Sequence, residues 1–245
     1  EIPLRLVGSE MCIRDSYMDS HYIHRSNWLR AAVLGANDGI ISISSLAIGV
    51  AAASATREPI LLATVAGLVA GALSMAAGEY VSVSSQTDIE KADIEREKIE
   101  LGENPEEELQ ILAQIYEQRG LKKETAMLVA QELTAKDALG AHVRDELGIN
   151  EISQANPLQA AMASGAAFTV GGVLPLFVAL LAPVQGMEYW LYAFTIVFLG
   201  ILGTVSAKVG GSSIGKAVMR IIIWGTIAMI LSAAVGYIFG VKNAG

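Results

Sequence analysis

The chain alternates between long apolar runs and one polar block, and the lengths of those runs decide its class. Five stretches are almost free of charge. Residues 31–56 carry one charge, Asp38, and residues 60–86 carry one, Glu79; residues 157–187, 189–207 and 221–241 carry none. A helix rises about 1.5 Å per residue, so about 20 residues cross a hydrocarbon core about 30 Å thick. All five are long enough for that. Backbone facing lipid must satisfy its hydrogen bonds internally, so each run is predicted to be a helix. The pattern predicts an all-α integral membrane protein with five transmembrane helices.

The polar block inverts this composition. Residues 87–152 hold 17 Asp and Glu against 8 Lys and Arg, so the block is more acidic than the whole chain, whose net charge is −8. No Gly or Pro interrupts residues 79–101, which predicts that the second span continues into the block as one helix. From Pro59 to Leu101 that helix would be about 65 Å long. Gly102, Asn104 and Pro105 end it and open the next, with Pro in the first turn. Leu109, Leu112, Ala113 and Tyr116 then recur at helical spacing, and Gly120 stops that helix. A third is predicted over residues 121–147, broken near Gly140. The block reads as a cytosolic three-helix insert between helices 2 and 3.

The chain therefore divides into helices 1–2 at residues 18–86, an acidic metal-binding domain at 87–152, and helices 3–5 at 153–245. Residues 1–17 stand apart. Their sequence, EIPLRLVGSEMCIRDS and one residue more, lacks the apolar centre and small-residue cleavage site of a signal peptide. It resembles a translated adapter read-through, which places the natural start at Met18. Cys12, the single cysteine, falls inside this tract, so no thiol chemistry is expected.

Basic residues in short flanking loops set orientation. Arg25 and Arg30 precede the first span, and Lys208, Lys216 and Arg220 bracket the turn between the fourth and fifth. The other side holds Arg57 and Lys242. This puts the amino terminus and the insert in the cytosol. With neither an organelle signal nor a eukaryotic hallmark, a bacterial inner membrane is the simplest location. The acidic balance excludes nucleic acid as a partner. An odd number of spans gives no internal two-fold, so a symmetric pathway would need a second subunit. The pairs Gly35/Gly39, Gly67/Gly71 and Gly236/Gly240 would permit close helix contact.

Two acids lie inside the spans. A carboxylate at the depth of Asp38 costs at least ~2.5 kcal/mol, so it must be neutralised, paired, hydrated or bound to a cation. The plainer reading is a capping Asp in a helix broken by Gly35 and Gly39. Glu79 is expected near the cytosolic boundary at a similar level, with Met75 one turn before it on the same face. Carboxylate oxygens beside a thioether suit a borderline transition metal better than magnesium or calcium. Equally, a lone Met in a membrane helix is often packing.

In the insert, Glu90, Asp93, Glu97 and Glu100 share one helix face and repel one another unless a cation relieves them. Glu106, Glu107 and Glu108 open the next helix, where the dipole alone accounts for acids. His142 and Glu146 stand one turn apart, close enough to reach one ion. No cysteine nucleophile, His-Glu-x-x-His zinc motif or phosphate-binding Gly-x-x-x-x-Gly-Lys-Ser/Thr loop is present, so no enzyme is expected. The string from Gly210 to Lys216 reads as a turn between spans.

Leu34-Gly-Ala-Asn-Asp-Gly-Ile40, Ser74-Met-Ala-Ala-Gly-Glu-Tyr80, the acidic insert ending in Arg144-Asp-Glu-Leu-Gly148, and Asn156-Pro-Leu-Gln-Ala160 together resemble the vacuolar iron transporter family, which includes bacterial members and plant nodulin-like relatives. The resemblance runs from about His21 to the carboxyl terminus, with the motifs in the family's order. It implies a five-span homodimer that moves ferrous iron, and often manganese, out of the cytosol in exchange for protons. The path would lie between subunits. Family transport positions fall on Asp38 and Met75, with Glu79 at a neighbouring pore position. Family insert ligands fall on Glu97, Glu100, Glu108 and Glu146, with Asp93, Glu107 and His142 as further candidates. Ile111 replaces an expected Glu, and His142-Val143 replaces a methionine pair, so the number of insert metal sites stays open.

The expected activity is thus proton-coupled export of Fe2+ or Mn2+, with Zn2+ and Co2+ also compatible with the ligands, and with no permanently bound cofactor. The partners are metal ions, protons, the bilayer and a second copy. The rival is a membrane-anchored iron sensor or storage scaffold without transport. A remoter one is an intramembrane hydrolase pairing Asp38 with Glu79, for which the sequence supplies no oxyanion donor.

Overall fold

The computed structural model describes residues 26–54, 56–149 and 156–240. The tract 1–17 with Cys12, the start at Met18, Arg25, the 152/153 boundary and Lys242 lie outside the described residues, as does the side chain of Arg30. The described residues form seven α-helices: α1 Ser26–Ala53, α2 Arg57–Glu103, α3 Pro105–Gln118, α4 Lys123–Asp145, α5 Pro157–Leu181, α6 Met187–Val209 and α7 Ile214–Phe239. Five of them, α1, α2, α5, α6 and α7, are long and apolar enough to cross a membrane. The protein is an all-helical integral membrane protein.

Two predicted boundaries move. The third apolar run extends to residue 187, but α5 stops at Leu181, and a turn through Gly186 (φ +76°) starts α6 at Met187. The fifth run starts at residue 221, whereas α7 begins at Ile214 and takes Lys216 and Arg220 into its first turns. The turn between α6 and α7 is thereby shortened. Charge counting marks the lipid core and not the helix end, because long basic side chains stay on a helix and reach for the headgroups.

The chain forms two compact units. One comprises residues up to Glu79 and from Gln159 onward, the other Tyr80 to Leu158. Tyr80–Gln86, the end of the second apolar run, continue the helix that serves the second unit.

In the first unit α1 is central, packed against α6 and α7, which also pack on each other. Its contacts depend on glycine. A side-chain carbon on Gly35 would overlap the Ser164 carbonyl oxygen, one on Gly39 the Phe168 carbonyl oxygen, and one on Gly236 the Gly49 carbonyl oxygen. Backbone cannot yield as a side chain can, so these glycines permit the close approach of α5 and α7 to α1. Ala47, Ile48 and Ala51 then form a core with Ile60, Ala179, Met187, Leu191 and Met229. Within it Thr195 Oγ1 donates to Ser44 Oγ at 2.7 Å, joining α6 to α1 where no water can serve either hydroxyl.

Helix ends confirm the antiparallel threading. Arg57, at the start of α2, donates to the carbonyls of Leu180 and Ala182 at the end of α5. It satisfies acceptors that the helix leaves without partners. Tyr237 near the end of α7 donates to Glu188 at the start of α6, at 3.4 Å.

The second unit contains the polar half of α2 together with α3 and α4. Pro105 opens α3 and its apolar stripe packs on α4 through Leu112, Ala113, Ala130 and Ala141. Gly120 (φ +102°) ends the connection as predicted. The break in α4 lies at Asp137 (φ −164°, ψ 91°) and not at Gly140. Asp137 leaves helical geometry and its carboxylate accepts the Gly140 N–H at 3.0 Å. That is the geometry of a helix N-cap, so α4 is two helices joined at Asp137.

Candidate functional site

The intramembrane acids meet at a cleft of about 440 Å³ in the first unit. Asp38 and Ser42 of α1 line it together with Met75 and Glu79 of α2 and Phe168 of α5. Asp38, Met75 and Glu79 are each half-buried. The helix α1 runs unbroken through Gly35 and Gly39, so Asp38 caps nothing. Its carboxylate accepts a hydrogen bond from Ser42 Oγ, one turn on, at 2.5 Å. That single neutral donor leaves most of the carboxylate's acceptor capacity facing the cleft. Gly67, Gly71 and Gly78 keep the α2 wall low. Two carboxylates and a thioether thus line one cavity among the spans, a donor set that accommodates a divalent transition metal.

A second group of acids converges in the other unit. His142 is fully buried, and its Nδ1 lies 2.8 Å from Glu146 Oε2, 2.9 Å from Glu97 Oε1 and 3.8 Å from Glu108 Oε2. One ligand atom from each of these four residues lies within 4.8 Å of all the others. The Glu97 and Glu108 side chains are only 4% and 8% exposed. A neutral imidazole offers Nδ1 one proton at most, and one N–H cannot satisfy three carboxylates. Glu146 takes the hydrogen bond, while Glu97 Oε1 and His142 Nε2 remain buried without a hydrogen-bond partner.

Burial therefore pushes the carboxyls of Glu97 and Glu108 above the usual carboxylate range, and the charge of Glu146 pushes the same way against a smaller opposing effect of His142. Such a group of like charges, desolvated and facing one nitrogen, is relieved by a divalent cation. With metal–ligand bonds of about 2.0–2.2 Å, these four ligand atoms, now within 4.8 Å of one another, would hold an ion after drawing closer together.

The remaining insert candidates are not drawn in. Glu100 pairs with Arg96 at 3.0 Å, and Glu90 accepts from Gln86 at 2.9 Å. Asp93 and Glu107 are exposed. Of the four-carboxylate stripe on α2 only Glu97 is buried, where it faces Glu108 of α3 and His142 and Glu146 of α4.

Beside the cluster is a network that the sequence reading missed. Asp145 ends α4 with its side chain 9% exposed. Tyr116 O–H donates to it at 2.8 Å, Arg119 Nη1 at 2.7 Å and Arg144 Nε at 3.0 Å. Arg119 Nη2 also reaches the Asp145 carbonyl at 2.9 Å, and its guanidinium lies over the Tyr116 ring. Burial acts to raise the Asp145 carboxyl, but the hydrogen bonds from Arg144, Arg119 and Tyr116 outweigh it and hold the pKa at about 2. The charged string Arg144-Asp145-Glu146 was the one sequence signal of this network.

The chain is similar to known proteins over most of its length. The VIT family model matches residues 29–237. A "Vacuolar iron transporter" from Acanthamoeba castellanii is 45% identical over 221 residues, covering 89% of this chain and 81% of that protein. "Vacuolar iron transporter homolog 1" from Oryza sativa subsp. japonica is 36% identical over 224 residues, with coverages of 91% and 78%. "Vacuolar iron transporter homolog 2.1" from Arabidopsis thaliana is 34% identical over 212 residues, with coverages of 86% and 81%. The matched span takes in α2 to α6 entire and nearly all of α1 and α7.

Proposed function

The chain belongs to the VIT family, and from that premise we propose that it transports divalent metal, moving ferrous iron or manganese out of the cytosol in exchange for protons. The observation that carries this reading is the cleft that Asp38, Met75 and Glu79 line together among the membrane-spanning helices. A membrane anchor has no use for two carboxylates and a thioether around one cavity, whereas a metal path does.

The four-residue cluster of Glu97, Glu108, His142 and Glu146 captures the ion on the cytosolic side. Its oxygen-rich set with one imidazole suits Fe2+ and Mn2+, and it tolerates Zn2+ and Co2+. Asp38 and Met75 then hold the ion in transit, with Glu79 beside them. Protonation of Asp38 or Glu79 from the far side weakens their hold and releases it, which couples export to proton entry. Lys208, Lys216 and Arg220, flanking the turn between α6 and α7, favour the cytosolic side for that turn and hence for the insert. In a bacterial host that membrane is the plasma membrane.

A second copy completes the path. The cleft is open on one side, and Leu34 and Leu46 of its α1 wall are exposed within one chain. A homodimer paired along this face encloses the cleft between two subunits. The test is flux: the purified chain in sealed liposomes, with Fe2+ and Mn2+ entry followed with and without a pH gradient. Gradient-driven uptake that disappears in Asp38→Ala is expected. Metal binding without flux would make the protein a sensor or storage scaffold and end the transport reading.

A further inference from the structure

The segment that presents His142 and Glu146 is short. After the cap at Asp137, the second part of α4 runs only from residue 138 to Asp145, about two turns. A helix of that length does not hold itself in water and takes its direction from tertiary contacts. Its start is secured by the Asp137 cap on Gly140. Glu146, the residue after its last turn, is the C-cap; its backbone N–H reaches the His142 carbonyl at 2.8 Å and its carboxylate the His142 Nδ1 at 2.8 Å, both contacts within the segment itself.

What secures the far end is α3. Tyr116 and Arg119 hold Asp145 through three hydrogen bonds, two to the carboxylate and one to the main-chain carbonyl. The last of these fixes the peptide that leads directly into Glu146. The same helix α3 carries Glu108, whose carboxylate faces His142. One element therefore supplies both a cluster carboxylate and the grip on the segment opposite.

We propose that Tyr116 and Arg119 are positioning residues for metal capture: by gripping Asp145 they set the direction from which His142 and Glu146 face Glu97 and Glu108. This rests on the reading that the cluster captures the ion. Neither residue touches the ion itself. Arg119 is suited to the task because its planar fork spans a carboxylate and a carbonyl at once, which a lysine cannot do. Loosening the clamp lets the two-turn segment tilt, and a site that must close around an ion loses affinity first.

The test uses the full chain in sealed liposomes with Mn2+ as the probe, measuring flux against metal concentration. Removing a partner that orients ligands costs about 10–100-fold in affinity. Tyr116→Phe and Arg119→Ala are expected to raise the half-saturating Mn2+ concentration about tenfold and leave the saturating rate unchanged. Arg119→Lys restores part of the loss, since one contact to the carboxylate survives. Unchanged half-saturation in Tyr116→Phe and Arg119→Ala overturns the proposal, and so does a loss confined to the saturating rate. If Arg119→Ala fails to fold, Tyr116→Phe decides alone, because it removes one hydroxyl from an intact ring. Glu108→Gln separates the two levels of inference. A rise in that variant without one in the clamp variants defeats only the positioning role; no rise in Glu108→Gln either means that the cluster is not the capture site.

Discussion

His142 Nδ1 lies 2.9 Å from Glu97 Oε1, with the imidazole fully buried and the carboxylate nearly so. The two residues come from different helices, α4 and α2, and nothing local in sequence brings them together. Because Glu146 already takes the one hydrogen bond that Nδ1 forms, the contact leaves Glu97 with charge but without a donor. This arrangement suits an added cation better than it suits itself.

Relieving that charge should therefore stabilise the metal-free protein. The double variant Glu97→Gln with Glu108→Gln is expected to gain about 1 kcal/mol, since replacing buried charges by neutral groups of the same shape is neutral or favourable. The same variant should lose the rise in melting temperature that Mn2+ gives the parent chain. Thermal unfolding of the purified chain with and without Mn2+ measures both. A destabilised double variant that still responds to metal would contradict the cluster's charge balance.

The pH dependence has a definite sign. Glu97 and Glu108 have raised carboxyls in the folded chain and ordinary ones when unfolded, so their charge opposes folding near neutral pH. That cost disappears as pH falls through the raised values, and the metal-free protein becomes more stable on mild acidification. Metal binding runs the other way, because the ion must displace protons. Calorimetric titration of Mn2+ in buffers of different ionisation enthalpy should show protons released on binding and affinity falling as the medium is acidified. Binding that takes up protons would contradict this assignment.

Asp145 predicts the opposite trend at lower pH. Its carboxyl is held at about 2 in the folded chain, against an ordinary value of about 3.9. Its contribution is present above about pH 4 and lost as pH falls towards 2, a change of about 2 kcal/mol. Asp145→Asn should abolish this step in an acid-unfolding profile followed by circular dichroism. An unchanged step would place the acid sensitivity elsewhere.

The helix contacts at glycine give a stability prediction with its own control. Gly39→Ala sets a methyl group against the Phe168 carbonyl, whereas nothing lies within 4 Å of a carbon added to Gly200. Overpacking against backbone costs about 1–3 kcal/mol, so Gly39→Ala should lower the melting temperature or the yield of folded protein. Gly200→Ala should be neutral or slightly stabilising, as Ala favours a helix. Equal effects of the two substitutions would show that the α1–α5 approach is not tight.

Several features of the architecture were legible in the residues alone. Asp38 and Glu79 were identifiable because a charge inside an otherwise neutral run of spanning length is conspicuous, and both line the cleft. Pro105 and Gly120 marked a helix start and stop through constraints on single residues. The three glycine pairs were visible too, but composition could not tell a contact from coincidence. Only the overlap of a Gly39 side chain with the Phe168 backbone reveals the contact. The break in α4 was misplaced at Gly140, because helix-weakening glycine attracted the prediction, whereas the carboxylate of Asp137 makes the break by capping the two-turn helix after it.

By itself, then, the sequence determined five spanning helices, an acidic helical insert and the list of acids able to hold a cation. These follow from one-dimensional constraints: the thickness of a bilayer, the period of a helix and the conformational limits of Gly and Pro. It did not determine which acids act together. Glu90, Asp93, Glu97 and Glu100 share a helix face in the sequence, yet Glu97 alone joins Glu108, His142 and Glu146. Nor could it show that Tyr116 and Arg119 would grip Asp145. Helical periodicity says which way a side chain points from its own axis. Which residues of other helices it meets there depends on how α2, α3 and α4 pack, and that was settled only in the tertiary structure.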